Sequence, residues 1–101
     1  MIRLFSKRRS KLDLYFGVLK SIKEGKNKVT QIMREVNIPW KTLKEILSSL
    51  IKNNIIEEID ADYINDGRTS VFYILTIKGN KIYNYFRNTK NQTNHILYLL
   101  T

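Results

Sequence analysis

The chain has 101 residues, a length typical of one domain with a small hydrophobic core. Hydrophobic residues make up 43% of it and charged residues 27%, as in an ordinary globular protein rather than a disordered chain. The absence of cysteine excludes disulfides, zinc fingers and thiol catalysis, and a single histidine, His95, excludes a histidine-based metal site. We therefore expect a protein that uses no metal and no cofactor.

The net charge points to a polyanionic partner. Lys and Arg number 18 against 9 Asp and Glu, so the formal net charge is +9, and the surface should attract nucleic acid. No stretch is apolar for long enough to span a bilayer, and the N-terminal residues do not show a secretory signal pattern. We expect a cytoplasmic protein with no membrane partner.

The charge is unevenly distributed along the chain. The first eleven residues contain no acid and five bases: Arg3, Lys7, Arg8, Arg9 and Lys11. Five of the nine acids lie between residues 57 and 66, so we expect that segment to face away from a bound polyanion. Residues 1–9 are predicted to form a basic arm. A solvated tail is the alternative, although a flexible basic arm can still hold phosphates.

The first helix is predicted from a capping motif. Ser10 and Asp13 have the spacing of a capping box, in which each residue satisfies a backbone N–H of the other. Apolar residues then recur at steps of three and four as far as Ile22, which indicates one buried helical face. Gly25 is expected to end the helix because glycine accepts a left-handed conformation.

Two further helices are predicted close together. The second is expected to begin after Asn27 as N-cap and to end at Asn37, which can adopt the left-handed conformation. The third is expected to run from Pro39, whose fixed φ suits a first helical turn, to Asn53. Asn54 can again take a left-handed turn.

The hydrophobic period then changes to that of strands. Residues 55–64 and 71–75 are short, rich in β-branched or aromatic residues and separated by an Asp66–Gly67 turn signal, which predicts a hairpin. Thr76 is expected to cap a last helix that continues through Phe86.

The remaining residues carry a weak coiled-coil register. Apolar and small residues step by three and four from Gly79 to Leu100, with a polar middle. The apolar segment at 96–100 is expected either to fold back on its own domain or to dimerise, and we favour dimerisation because a small domain has little spare core. The candidate dimerisation residues are Ile82, Phe86, Ile96, Leu97 and Leu100.

The order of these elements predicts an α+β fold of the winged helix-turn-helix type, with three helices, a two-stranded wing hairpin and a C-terminal helix. Residues 42–56, TLKEILSSLIKNNII, resemble the recognition helix of winged-helix transcription regulators, with Asn54 in place of their glycine. Residues 75–79, LTIKG, resemble the Leu-Thr-x-x-Gly entry to their final helix. The chain is most similar to small crenarchaeal winged-helix DNA-binding proteins, including virus- and plasmid-borne members, whose final helix pairs in an antiparallel coiled coil. We place the domain at 10–86 and a helical tail at 87–101.

The third helix is the candidate recognition element. Its apolar stripe should leave these residues outward for DNA: Trp40, Lys41, Thr42, Lys44, Glu45 and Ser48. Lys41 and Lys44 can reach guanine acceptors or phosphate, and Glu45 can accept from cytosine N4. The alternative is a solvated helix face with an i,i+4 ion pair between Lys41 and Glu45. Trp40 can stack on a nucleotide or cover the turn between the helices.

Other candidate contacts flank that helix. At the wing tip, Arg68 can enter the minor groove or hold a phosphate, with Thr69 and Ser70 as hydroxyl donors, although nearby acids argue against deep insertion. The candidate contacts to the DNA backbone are Arg8, Arg9, Lys11, Lys28 and Arg34.

These features favour a binding protein over an enzyme, because no catalytic triad and no glycine-rich phosphate loop is present. The predicted function is a homodimeric regulator that binds double-stranded DNA. Two alternatives remain open: a nucleoid architectural protein with little sequence choice, and a winged-helix adaptor that binds an acidic protein surface.

Overall fold

The computed structural model describes residues 10–60 and 71–100, with side chains as far as residue 88. Three helices precede two antiparallel strands and a long last helix, as the winged helix-turn-helix prediction requires. The elements in chain order are α1 (Lys11–Lys23), α2 (Val29–Val36), α3 (Trp40–Lys52), β1 (Ile56–Asp60), β2 (Val71–Leu75) and α4 (Ile77–Leu100). The predicted fold class is confirmed.

Helix α1 begins at the predicted capping box. The Asp13 N–H donates to Ser10 Oγ at 3.0 Å, and the Ser10 N–H donates to Asp13 Oδ2 at 3.4 Å. The helix ends at Lys23, and Gly25 follows with a φ of 91°. A side chain at that φ is strained, so glycine is the residue that lets the chain turn towards α2.

The predicted cap of α2 is wrong. Lys28, not Asn27, occupies the N-cap position, and its N–H donates to Gln31 Oε1 at 3.1 Å. Asn27 is instead paired with β2: its side-chain amide donates to the Tyr73 carbonyl at 3.0 Å, and its own carbonyl accepts from the Tyr73 N–H at 3.1 Å. A partner 46 residues away overrides the local capping preference.

The turn between α2 and α3 follows the prediction with one shift. Asn37 has a φ of 60°, and its N–H donates to the Met33 carbonyl at 2.8 Å. Pro39 is the N-cap of α3 rather than its first helical residue, because its backbone is extended at φ −75° and ψ 161°. Helix α3 therefore begins at Trp40, and Asn54 follows its end with a φ of 60°.

The two strands pair in register from Ile56 opposite Leu75 to Asp60 opposite Val71. Strand β2 has the predicted bounds, whereas β1 is described to Asp60 and the predicted turn falls at 61–70, outside the described residues. Thr76 caps α4 as expected, because its Oγ1 accepts from the Gly79 N–H at 2.9 Å. The backbones approach so closely here that a Cβ on Gly79 would collide with the Ile55 carbonyl oxygen.

One hydrophobic core joins all six elements. Phe16 of α1 stacks on Tyr83 of α4, with ring centroids 5.5 Å apart, and thereby links the first helix to the last. The buried hydrophobic residues are Val18, Leu19, Ile22, Ile32, Val36, Ile38, Leu43, Ile46, Leu47, Leu50, Ile56, Tyr73 and Tyr83. Four of them belong to α3, so the core determines which side of that helix faces outward.

Helix α4 is continuous. Its backbone runs without interruption for 24 residues, or about 36 Å, so the predicted last helix and the tail form one element. Ile82 and Phe86 are half-buried and pack against the core of the same chain. The side chains of Ile96, Leu97 and Leu100 lie outside the described residues, and their role in dimerisation stays a prediction.

Candidate nucleic-acid interface

Helix α3 is held by its apolar side. Leu43, Leu47 and Leu50 are at most 3% exposed, and Ile46 is 5% exposed. The turn before the helix is fixed as well, because Ile38 is buried within it. The opposite side of α3 is therefore presented to solvent on a support that is anchored along the length of the helix.

The structure places all six predicted α3 residues on the accessible side. Lys41, Lys44, Glu45 and Ser48 are exposed, and Thr42 is half-buried. They divide into two stripes by helical spacing. Residues 41, 44 and 48 form the outer stripe, and residues 42, 45 and 49 form a stripe that faces the N-terminal turns of α1. Lysine ammonium groups on the outer stripe can donate to guanine O6 and N7 or to phosphate.

Lys41 and Glu45 do not form the ion pair that the solvated-face alternative includes. In the described part of the chain, the ion pair within 4.0 Å lies elsewhere: Lys26, in the loop before α2, contacts Glu35 of α2, with 3.2 Å between Nζ and Oε2. The charges of Lys41 and Glu45 are thus not neutralised by each other. Each remains available to a ligand that approaches α3.

Trp40 is an exposed aromatic residue at the start of α3. Its side chain opens α3, directly after the N-cap Pro39, and 46% of the residue is exposed. Nearly half of its surface is therefore open to a ligand, and both interpretations of this tryptophan stay predictions.

A groove separates α1 from α3. It has a volume of about 380 Å³, and its walls are Lys11, Leu14 and Tyr15 on one side and Thr42, Glu45, Ile46 and Ser49 on the other. We call it the α1–α3 groove. Lys11, a predicted backbone contact, therefore lies beside α3. Because Ser10 precedes it, the chain of residues 1–9 joins the domain at the edge of the same surface.

The remaining predicted contacts divide between described and undescribed residues. Lys28 and Arg34 are exposed on the first and last turns of the α2 region, and neither forms an ion pair within the described residues. Arg8 and Arg9 lie in 1–9, and the wing residues Arg68, Thr69 and Ser70 lie in 61–70, so all five are outside the described residues.

The wing strands carry the acidic charge. Glu57, Glu58 and Asp60 are exposed on β1, and Tyr73 Oη donates to Glu58 Oε2 at 3.2 Å. Burial, together with the neighbouring Glu58 charge and this hydrogen bond, raises the pKa of Tyr73 to about 12. The sequence alone did not predict this pair, because it depends on the hairpin register that places the two residues opposite each other.

The described residues hold neither a membrane-spanning helix nor a metal-binding cluster. Within residues 10–60 and 71–100, no helix is both long enough and apolar enough to cross a membrane. The same residues contain no group of three or more Asp, Glu or His side chains that could hold a metal ion.

Comparison with known proteins agrees with the fold. A segment of 58 residues is 34% identical to an uncharacterized protein of Methanocaldococcus jannaschii; it covers 57% of this chain and 28% of that protein. The chain thus spans little more than a quarter of that relative. Among solved structures, a PadR family transcription regulator from hypervirulent Clostridium difficile aligns with a TM-score of 0.71 and 18% identity. The alignment covers 85% of this chain and 97% of that one and shows a shared fold.

The family assignment rests on a wider match. A family model described as winged helix-turn-helix matches residues 8–94, which includes five elements in full and α4 as far as residue 94. The predicted resemblance to winged helix-turn-helix DNA-binding proteins is confirmed at this level, whereas the narrower resemblance to crenarchaeal members stays a prediction. The chain belongs to the winged helix-turn-helix family.

Proposed function

We propose that this protein is a transcriptional regulator that binds double-stranded DNA and places the N-terminal half of α3 in the major groove. The observation that carries the proposal is the two-sided character of α3. Its leucine face is buried, while Lys41, Lys44 and Ser48 are exposed on the opposite face. The major groove admits an α-helix and displays acceptors that lysine can reach. Family membership and the net charge of +9 support the same conclusion.

The side chains of α3 have distinct roles in this proposal. Lys41 and Lys44 donate to guanine O6 and N7 or to phosphate oxygens. Thr42 and Ser48 supply hydroxyls that hydrogen-bond to bases or phosphates. Glu45 accepts from cytosine N4 and repels phosphate, so it penalises a helix that rests only on the DNA backbone and thereby favours particular sequences. Trp40 adds contact with a sugar or base through its accessible part.

Contacts to the DNA backbone would surround this helix. Lys28 is exposed at the N-cap of α2 and Arg34 on its last turn, Lys11 lies beside α3, and Arg8 and Arg9 precede Lys11 in the chain. Arg68, with Thr69 and Ser70, would extend the interface from the wing. Each phosphate contact adds about −0.9 to the slope of log affinity against log salt concentration. Binding should therefore weaken steeply as salt increases.

We further propose a homodimer joined through α4. Its last described contacts with the core of its own subunit are made near Phe86, and the backbone helix then continues to Leu100, about 21 Å farther. That extension carries the apolar Ile96, Leu97 and Leu100. Residues 10–86 would bind DNA and 87–101 would join two subunits on half-sites about 34 Å apart. A cytoplasmic dimer of this kind would act by binding rather than catalysis, most simply by blocking polymerase.

Selection of bound duplexes from a random pool tests the proposal. Full-length protein is mixed with the pool at low salt and at physiological salt, and bound duplexes are sequenced. Enrichment of a two-fold symmetric site supports a sequence-reading regulator. Equal affinity for all sequences would instead favour the nucleoid architectural protein. If no duplex binds even at low salt, the remaining alternative is an adaptor that binds an acidic protein surface.

A further inference from the structure

The N-terminal turns of α1 present an apolar surface at the α1–α3 groove. The half-buried Leu14 and Tyr15 line the groove. Leu12, which is 59% exposed, lines an adjoining concavity that shares Lys11 and Tyr15 with the groove. The floor on the α3 side includes Ile46. An exposed leucine alone needs no explanation, but here it is joined through Tyr15 to a groove that is already partly apolar.

The α3 wall of the groove is suited to a basic ligand. Glu45 lies on that wall and is not paired with Lys41, its neighbour one turn away. Thr42 and Ser49 add hydroxyl groups on the same side. Lys11 on the opposite wall balances the Glu45 charge, so the groove as a whole does not repel a segment that combines apolar and basic residues.

The segment formed by residues 1–9 has this combination. Ile2, Leu4 and Phe5 are apolar, and the bases in the segment are accompanied by no acid. It is joined to Ser10, at the edge of the groove, so its effective concentration there exceeds that of any separate molecule. Nine extended residues reach about 30 Å, whereas the groove wall from Thr42 to Ser49 is about 11 Å long.

We propose that residues 1–9 bind in the α1–α3 groove of their own subunit, with Leu4 and Phe5 packed against Leu12 and Tyr15. Burial of these side chains removes apolar surface from water at both partners. The docking does not depend on DNA. Its consequence rests on the proposed function: Lys7, Arg8 and Arg9 would be held beside α3 and would contact the same duplex.

Disulfide crosslinking can test the docking because the chain has no native cysteine. The variant Ser6→Cys/Ser49→Cys joins the segment to the groove wall. The matched control is Ser6→Cys/Ser48→Cys, since Ser48 is the adjacent residue on α3 but is exposed on the outer stripe. The two pairs have nearly equal separation along the chain, so loop-closure entropy affects them equally.

The proposal predicts that the Ser6→Cys/Ser49→Cys variant crosslinks within one subunit about tenfold faster than the Ser6→Cys/Ser48→Cys variant, because docking raises the local concentration. Adding Leu4→Ser and Phe5→Ser should reduce the rate to that of the control. Equal rates for the two variants overturn the proposal. Crosslinks between subunits in the Ser6→Cys/Ser49→Cys variant also overturn it, since they would show a second copy in the groove. Neither result bears on DNA binding, which the duplex selection tests separately.

Discussion

At the scale of single residues, the accessible face of α3 is where charge decides the function. Lys41 and Lys44 are exposed without an ion-pair partner in the described chain, and Glu45 stands between them and the α1–α3 groove. A lysine bonded to a base and a lysine bonded to a phosphate differ in what their removal changes. Removing a lysine that binds a base alters sequence preference, whereas removing one that binds a phosphate weakens all sequences alike.

Replacing Lys41 and Lys44 with alanine is expected to relax base preference and to weaken binding by about 1–3 kcal/mol for each base that a lysine would recognise. The measurement is a gel shift against the selected duplex and against scrambled duplexes. Lys20→Ala/Lys81→Ala is the matched control, because it removes the same charge from two exposed lysines on α1 and α4. Uniform weakening across all duplexes would show that the two α3 lysines touch phosphate alone.

Gly79 is expected to tolerate no side chain. A Cβ there would collide with the Ile55 carbonyl oxygen, so Gly79→Ala should destabilise the fold by about 1–3 kcal/mol through overpacking. Gly17→Ala is the matched control, since its Cβ would lie 3.5 Å from Val36, an ordinary contact, and alanine favours a helix. Urea unfolding measures both variants. If Gly79→Ala is as stable as the original protein, the start of α4 can move away from the Ile55 backbone with little loss of folding free energy.

At the scale of secondary-structure elements, local signals predicted what local interactions decide. The Ser10–Asp13 capping box, the bounds of β2 and the Thr76 cap were each correct, and in both caps the partners lie within three residues in the chain. The features that the sequence did not predict involve residues far apart in the chain. Asn27 has the character of a helix cap, but β2 uses its backbone and amide, and the pairing of Glu58 with Tyr73 depends on the hairpin register.

The Tyr73–Glu58 pair predicts how stability depends on pH. The folded pKa of about 12 lies above the ordinary 10.0, so between these values the unfolded chain holds fewer protons and stability falls as pH rises. Well below pH 10 the phenol is neutral in both the folded and the unfolded state, so Tyr73 contributes no pH dependence to stability there. Tyr73→Phe should therefore show a shallower fall between pH 10 and 12 in urea unfolding. Tyr85→Phe is the matched control, because it removes a phenol from a residue that is 66% exposed and outside this pair. Identical slopes for all three proteins would contradict the prediction.

At the scale of the whole molecule, the sequence predicted more of the fold than of the candidate nucleic-acid interface. The order of elements and the basic charge indicated the family, and burial of the leucine stripe then placed all six α3 residues outward. The three-and-four register predicted helix from Gly79 to Leu100, but its polar middle favoured a separate helical tail at 87–101, whereas α4 is one continuous helix. Nor did it show that Ile82 and Phe86 pack within their own subunit, since a buried stripe looks the same whichever chain covers it.

The dimer proposal makes a prediction for the end of α4. Deleting residues 92–101 should yield monomers in light scattering and weaken binding to a two-half-site duplex, because each subunit then binds alone. Ile96→Glu/Leu100→Glu should do the same without shortening the chain. Asn84→Glu/Asn91→Glu adds the same charge off the apolar stripe and should leave the dimer intact. A dimer that survives the deletion would assign the interface to another surface.

The close seat of α4 at Gly79 has a mechanical consequence. The glycine brings the start of the helix against the Ile55 backbone, and the helix then continues without a hinge to Leu100. In a dimer joined at the C-terminal ends of α4, each α4 helix would rigidly connect the dimer contact to the DNA-binding domain of its own chain. The crossing angle of the two α4 helices would then fix the distance between the two DNA-binding domains. Such a dimer would bind half-sites at one spacing and would lose affinity when base pairs are inserted between them.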